Sequence, residues 1–317
     1  MNRRDFLQLG GTCAAHLGLF GGVRVSAMAQ STSGPAHRVV VEQPWARLEQ
    51  IVDGVWSIVS TPLAGGENAM RTFSNGGIIA GRSGVVVVEG FGSGDGARWA
   101  AEQARRVTGR RPTHVVLTHY HGDHSAGLLG YRDGSEAPIY VTTADTRDRL
   151  RSRGRLMTDI LESAQLVGPT DAMSLDLGGR RVVITPRAGH TASDLTVAVD
   201  DPAVVFGGDL LWNRHFPNYV DAIPSVLSRE VRSLSAARGV VRVPGHGATF
   251  SENDLVHYIG VLDAVEAAAR QARAAGTAAA DAAKVFKLPA ALGEWTMFGG
   301  NYYEVALRAW EREFAAV

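Results

Sequence analysis

From residue 48 onward the apolar positions fall into short β-like runs that alternate with helical spacings. Residues 49–60 carry Ile51, Val55, Trp56, Ile58 and Val59 around an Asp53-Gly54 turn, which predicts a hairpin. Residues 73–80 follow as a strand pattern. Residues 84–89, Gly-Val-Val-Val-Val-Glu, have no polar face and predict a strand covered on both sides. Residues 97–108 have helical spacing, 113–118 form another buried strand, 125–130 are weakly helical, 139–142 read as a strand and 143–153 as a helix. The rhythm then repeats, with short strands at 181–185, 195–199 and 204–206, a helix at 224–237 and a strand at 240–243. Leu255, Ile259, Leu262, Val265 and Ala269 line one face of a long helix, and shorter helices are predicted at 277–284 and 302–314. Two sets of strands with helices between and after them predict an α/β sandwich of layers in two similar halves.

Composition narrows the field of partners. The 317 residues are 45% hydrophobic and 20% charged, the proportions of an ordinary globular chain. Lys plus Arg equals Asp plus Glu at 32 each, so no bulk field draws the chain to nucleic acid or an anionic membrane. A small-molecule substrate fits better, and nothing in the pattern specifies an oligomer.

The N-terminus reads as a processing signal. Arg3-Arg4-Asp5-Phe6-Leu7 precedes a mildly apolar, glycine-rich stretch, and Ala27-Met28-Ala29 has the small-x-small form of a signal-peptidase site. This resembles a twin-arginine export signal over 1–29, with cleavage near Ala29/Gln30 and a periplasmic destination. The apolar stretch is too short for a membrane span, so the mature chain is expected to have no integral membrane segment. The one cysteine, Cys13, lies inside the signal, leaving the mature chain without disulfides or thiolate ligands. Residues 30–47 read as an irregular leader, and 48–317 as the functional domain with a helical C-terminal extension.

The chemistry concentrates in residues 119–124, His-Tyr-His-Gly-Asp-His, at the end of the strand 113–118. In a tight loop, residues i and i+2 point the same way, so His119 and His121 can share one ion. Asp123 and His124 follow the turn-permitting Gly122 and can serve a second. Imidazole and carboxylate donors without thiolate suit zinc or another borderline first-row metal. Further donors stand at other strand ends, each beside glycine: Gly189-His190, Gly208-Asp209 and Gly245-His246. A single His or Asp after a strand is usually a cap, but four such signals together point to one assembled centre.

On these motifs the chain resembles the metallo-β-lactamase superfamily over roughly residues 48–275. The resemblance implies a four-layer αββα sandwich. It implies that His119, His121 and His190 hold a first metal, that Asp123, His124 and His246 hold a second, and that Asp209 bridges them. The cofactor implied is two Zn2+ per chain, with iron or manganese as alternatives. Where the broad β-lactamases of the superfamily carry cysteine, this chain has Asp209, similar to the glyoxalase II, lactonase and sulfatase branches. The leader and long C-terminal helix are similar to periplasmic members associated with sulfur oxidation or quinoprotein systems. No lysine lies between His190 and His246 to grip a β-lactam carboxylate, and Arg214 is the candidate substitute.

The activity implied is hydrolysis of an ester, lactone, thioester or amide bond by a metal-bridging hydroxide, with Asp123 orienting it and taking its proton. The alternatives are a class B-like β-lactamase, or an oxidoreductase similar to the persulfide dioxygenases, which use one iron. Thr118 and Thr191 are read as orienting imidazoles or as strand caps, Tyr120 as packing, and His114 and His257 as structural. The segment 213–219 is a candidate pocket wall, with His215 or Tyr219 touching substrate, and 68–73 a candidate flap.

Overall fold

The computed structural model describes residues 37–60, 71–134, 136–152, 158–200 and 203–316. The expected export segment at 1–29 and residues 68–70 of the expected flap lie outside them. Eight strands form one sheet in chain order: β1 (Arg38–Gln43), β2 (Ala46–Val52), β3 (Val55–Ser60), β4 (Gly76–Ala80), β5 (Val85–Val88), β6 (His114–Val116), β7 (Ile139–Thr143) and β8 (Gln165–Val167). Neighbours are antiparallel as far as β5 and parallel from β5 to β8. A second sheet has the order β13-β12-β11-β10-β9, from β9 (Met173–Asp176), β10 (Arg181–Arg187), β11 (Asp194–Asp200), β12 (Ala203–Phe206) and β13 (Val241–Val243). Only its β12–β13 pair is parallel.

The helices are α1 (Gly94–Thr108), α2 (Gly122–Ser125), α3 (Ala144–Ser152), α4 (Thr158–Glu162), α5 (Pro224–Ala236), α6 (Glu252–Ala274), α7 (Ala279–Val285) and α8 (Tyr302–Ala315). The valines of β5 show how the layers arise. Val85 and Val87 pack with Trp99, Ala100 and Ala104 of α1, while Val86 and Val88 pack with Val182, Ile184 and Val197 of the other sheet. Side chains alternate across a strand, so a run of valines fills two cores at once, at roughly 1.5–3 kcal/mol for each buried side chain. The outer face of the second sheet, through Val205, meets Leu227 and Val231 of α5, Leu255, Val261 and Val265 of α6, and Leu307 and Trp310 of α8. The result is helix, sheet, sheet, helix, the four-layer αββα arrangement expected from the sequence.

Helix ends follow local chemistry. Ser93 caps α1 by accepting from Gly96 N at 3.2 Å, and Gly109 ends it at φ 74°. Ser251 and Asp254 form a reciprocal capping box at the start of α6. Among the described residues no helix is long and apolar enough to cross a membrane.

Three departures from the sequence reading have physical causes. Residues 38–43, expected to be irregular leader, form β1, an edge strand whose one-sided pairing to β2 tolerates its charged positions. The short strands β8 and β9 also escaped the pattern, because each closes a sheet edge and is partly exposed. β10 runs through Pro186, which stands opposite Leu195 of β11 but beyond the last residue paired to β9. Proline lacks the N–H that a second neighbour would need, and here none is present.

Candidate metal centre

The seven donor residues gather at the ends of strands from both sheets. Residues 119–124 leave the first sheet after β6 and turn into α2, for which His121 is the N-cap residue. Ser125 Oγ pins this turn by donating to His121 O at 2.8 Å. His190 follows β10, Asp209 sits in the 3-10 turn Gly208–Leu210 after β12, and His246 follows β13. Glycine is required at two of these points. Gly189 takes φ 140°, where a Cβ would also fall 2.7 Å from Leu227 Cα, and a Cβ on Gly245 would fall 2.0 Å from Asp209 Oδ1.

Two donor groups share one carboxylate. In the first, His119 Nε2 and His190 Nε2 lie 3.1 and 2.9 Å from His121 Nδ1. Asp209 Oδ2 is 3.2 Å from His190 Nε2 and 3.8 Å from His119 Nε2. The other oxygen, Asp209 Oδ1, faces the second group, 3.1 Å from His124 Nε2 and 3.5 Å from His246 Nε2. Asp123 Oδ2 completes that group at 3.2 Å from His246 Nε2 and 3.5 Å from His124 Nε2. Within each group all donor atoms lie within 4.8 Å of one another. All seven residues are buried, Asp123 being the most exposed at 7%.

For His119, His121 and His124, partners outside the groups favour the nitrogen that faces inward. Asp221 Oδ2 lies 2.9 Å from His121 Nε2, so that nitrogen carries the proton and Nδ1 presents its lone pair. Thr118 Oγ1 donates to Glu89 Oε1 at 2.5 Å and therefore accepts from His119 Nδ1 at 3.0 Å, leaving His119 Nε2 as the lone pair. Glu89 Oε1 is also 3.1 Å from His124 Nδ1. One carboxylate thus backs a histidine in each group, through Thr118 in the first and at ion-pair distance in the second. Glu89 takes φ 87°, a strained conformation for a non-glycine residue that costs about 1–3 kcal/mol. Asp194 holds the loop of His190, accepting from His190 N at 3.0 Å and Thr191 Oγ1 at 2.7 Å.

The loop of His246 is held from the first sheet and from the Asp209 segment. Asn75 Nδ2 donates to Pro244 O at 3.0 Å and Gly247 O at 2.6 Å, and its Oδ1 accepts from Ser60 N at 2.8 Å. Trp212 stacks on the His246 ring at 4.2 Å and donates Nε1 to Asp209 O at 2.7 Å.

The electrostatics favour a cation. Burial alone would raise the Asp209 pKa, but His124, His246 and His190 hold it well below the usual carboxylate range. Burial alone would lower that of His124, yet Asp209, Glu89 and Asp123 hold it well above the ordinary imidazole value. In the first group, burial pushes His190 down to about 3, and burial with the neighbouring His124 and His121 pushes His119 well below normal. His119 Nε2 and His121 Nδ1 thus aim lone pairs at each other across 3.1 Å, an arrangement that repels unless a cation lies between them.

The donor set fits divalent metal. Zn–N bonds of 2.0–2.1 Å give a tetrahedron with edges of about 3.3 Å, close to the separations in both groups. His124 Nε2, Asp209 Oδ1 and His246 Nε2 are buried without hydrogen-bond partners, which fits a role as metal-ligating atoms. Two dications would bring four positive charges; Asp123 and Asp209 offset half of them, and Glu89 and Asp221, when ionised, the rest.

All seven sequence-derived donors are therefore brought together. Thr118 does contact an imidazole, whereas Thr191 instead binds Asp194 through its backbone N–H and hydroxyl. Tyr120 is buried with Arg149 over its ring at 4.8 Å, but it does more than pack: its hydroxyl also hydrogen-bonds Asp221, the partner of His121. His114 bonds Thr113 Oγ1 and His257 lies 2.9 Å from Arg214, both structural roles. Arg214 is tied to Leu292 O, Asp254 and His257, so it is not free to grip a substrate carboxylate. Sequence reasoning missed Glu89 and Asp221. Glu89 left a signal, a carboxylate closing an all-valine strand; Asp221, far along the chain from His121, left none.

Comparison with known proteins agrees with this geometry. A profile of the metallo-beta-lactamase superfamily matches residues 69–246, more than half of the chain. A probable metallo-hydrolase of Mycobacterium tuberculosis is 31% identical over 147 residues, covering 41% of this chain and 46% of that relative, so the match spans less than half of its length. A hydroxyacylglutathione hydrolase of Acidiphilium cryptum is 29% identical over 182 residues, covering 56% of this chain and 69% of the relative. Among solved structures, a stereoselective inverting sec-alkylsulfatase from Pseudomonas sp. superposes with TM-score 0.68 at 14% identity, covering 84% of this chain and 50% of that one. A metallo-beta-lactamase from Pontibacter korlensis superposes with TM-score 0.57 at 18% identity, covering 69% and 99%. The chain belongs to the metallo-β-lactamase superfamily.

Proposed function

We propose that the chain is an exported binuclear zinc hydrolase that cleaves an ester, lactone, thioester or amide bond. The observation that carries this reading is the division of Asp209 between two donor groups, one oxygen to each. His119, His121 and His190 would hold one ion, Asp123, His124 and His246 the other, and Asp209 both. Bound there, a divalent pair supplies Lewis acidity toward the substrate and lowers the pKa of water toward neutrality.

The chain's own groups do the rest. Asp123 Oδ1 is buried without a hydrogen-bond partner, and it accepts the proton of the attacking water. Glu89 and Asp221 keep His124 and His121 in the tautomers that face inward. Burial of the donor residues excludes bulk solvent and strengthens each charge interaction. The engagement of Arg214 weighs against β-lactams, and the relative named as a hydroxyacylglutathione hydrolase supports a hydrolytic role.

Metal analysis of the purified mature chain tests the reading, followed by a panel of ester, lactone, thioester, β-lactam and sulfate-ester substrates. About two zinc per chain are expected, with turnover abolished in Asp123→Ala. A single iron with oxygen uptake would overturn it in favour of an oxidoreductase. Periplasmic export rests on Arg3-Arg4 and Ala27-Met28-Ala29. Replacing both arginines with lysine should trap a precursor in the cytoplasm, and N-terminal sequencing of exported protein should begin near Gln30.

A further inference from the structure

His215 lies in the segment that follows Asp209 and is 5% exposed. Its Nδ1 is 3.0 Å from the Asn213 carbonyl. A carbonyl only accepts, so Nδ1 carries the ring proton and Nε2 is left as a lone-pair acceptor. That Nε2 is buried and has no hydrogen-bond partner. A buried acceptor is unfavourable until something donates to it.

The ring is held in this position. It stacks on Phe298 with centres 5.2 Å apart at 22°, and its backbone forms a β-bridge with Thr296. Phe216 N donates to Thr296 O at 2.8 Å and Thr296 N to Arg214 O at 2.9 Å, fixing the chain on both sides of His215.

The location gives the unpaired nitrogen a purpose. The His215 ring centre is 6.5 Å from that of His246, in the second donor group. Phe298, Phe73 and Trp212 pack around His246 at 5.3, 6.1 and 4.2 Å. Phe73 takes φ 64°, a strained conformation for a bulky residue. Aromatic rings therefore pack around His246 of the second group, and among the described residues the unpaired His215 Nε2 belongs to a ring beside them. Burial lowers the imidazole pKa to about 4, so the acceptor is present at neutral pH.

We propose that His215 Nε2 is a substrate-positioning acceptor, which takes a hydrogen bond from an O–H or N–H group on an apolar, preferably aromatic, leaving group lying against Phe73, Trp212 and Phe298. This rests on the hydrolase reading above and specifies the class of substrate for it. The donor sets the register of the leaving group beside the second donor group, so otherwise similar substrates are sorted by whether they carry one.

The zinc-loaded chain, assayed on 3-hydroxyphenyl acetate and 3-methoxyphenyl acetate, tests the inference. These leaving groups have similar acidity and differ in the donor. Wild type is expected to favour the hydroxyl ester in kcat/KM by roughly tenfold, the worth of one hydrogen bond. The ratio should fall to near one in His215→Phe, which keeps the aromatic stack, and be largely restored in His215→Gln, which keeps an acceptor. An unchanged ratio in His215→Phe overturns the inference and leaves the hydrolase reading in place. A wild-type ratio near one overturns it without any variant, so the test survives a misfolded His215→Phe. Failure of the zinc-loaded wild type to turn over either ester or any member of the wider panel overturns the hydrolase reading instead.

Discussion

The first sheet brings His119, His121, Asp123 and His124 to the site within six consecutive residues, whereas the second brings His190, Asp209 and His246 on three separate loops. The difference shows in what supports each set. The compact set is braced by Ser125 against the backbone of residues 120 and 121 and by Glu89 and Thr118 at the adjacent strand ends, with Asp221 a distant partner of His121. The dispersed set needs ties between its loops as well: Asp194 braces the His190 loop from nearby, but Asn75 reaches from the first sheet to the His246 loop, and Trp212 joins Asp209 to His246. Local geometry can be written into a short motif. Geometry spread over three loops must be assembled by the packing of two sheets.

The largest effect is expected at Asp209, where the two sets meet. Asp209→Ala removes a donor from both groups and deprives His124 and His190 of the negative charge they share. Zinc content should drop below one per chain at low micromolar zinc, and turnover should fall on the order of 10³-fold, as for loss of a central electrostatic group. A variant that kept both ions would show that Asp209 is not what joins the groups.

Asn75→Ala should come next and should separate the two sets. It leaves the carbonyls of Pro244 and Gly247 and the N–H of Ser60 without partners in a buried seam. A stability loss of about 3 kcal/mol is expected in urea denaturation. The ion held by the second group should weaken selectively, because His246 belongs to that group alone. Equal weakening of both ions would mean that the dispersed set has no dependence on this tie beyond general stability.

The smallest expected effect is Asp221→Asn, which touches only the first group. The amide still accepts from His121 Nε2 but no longer carries the charge; His121 and Tyr120 together hold the Asp221 pKa below the usual range against the opposing effect of its burial. Affinity for the ion held by the first group should fall about tenfold, the lower end of the range for an outer partner of a histidine ligand. Isothermal titration with zinc measures it. No change would assign Asp221 to packing rather than to ligand orientation.

Several features of this centre are legible in the order of residues alone. The hexapeptide 119–124, and the strand–glycine–ligand signals at 190, 209 and 246, each rest on nearest neighbours in the chain. So do the valines of β5, whose alternation predicts burial on both faces. The outer partners are not legible in the same way. Asp221 meets His121 from a turn a hundred residues further along the chain, and Asn75 meets residues 244–247 from the opposite half. Arg214 looks available from its position after Asp209, but tertiary packing against Asp254, His257 and Leu292 engages it.

By itself the sequence determined the kinds of donor atom, their glycine-bounded loops, the strand and helix periods, and thus the family. These depend on covalent connectivity and on contacts a few residues apart. Only the tertiary structure decided which oxygen of Asp209 faces which histidines, which imidazole nitrogen turns inward, and that His215 keeps a buried nitrogen unpaired beside an aromatic wall. Those outcomes depend on side chains from distant segments meeting at hydrogen-bond distance, and that is set by how two sheets pack face to face, with no local spacing to encode it.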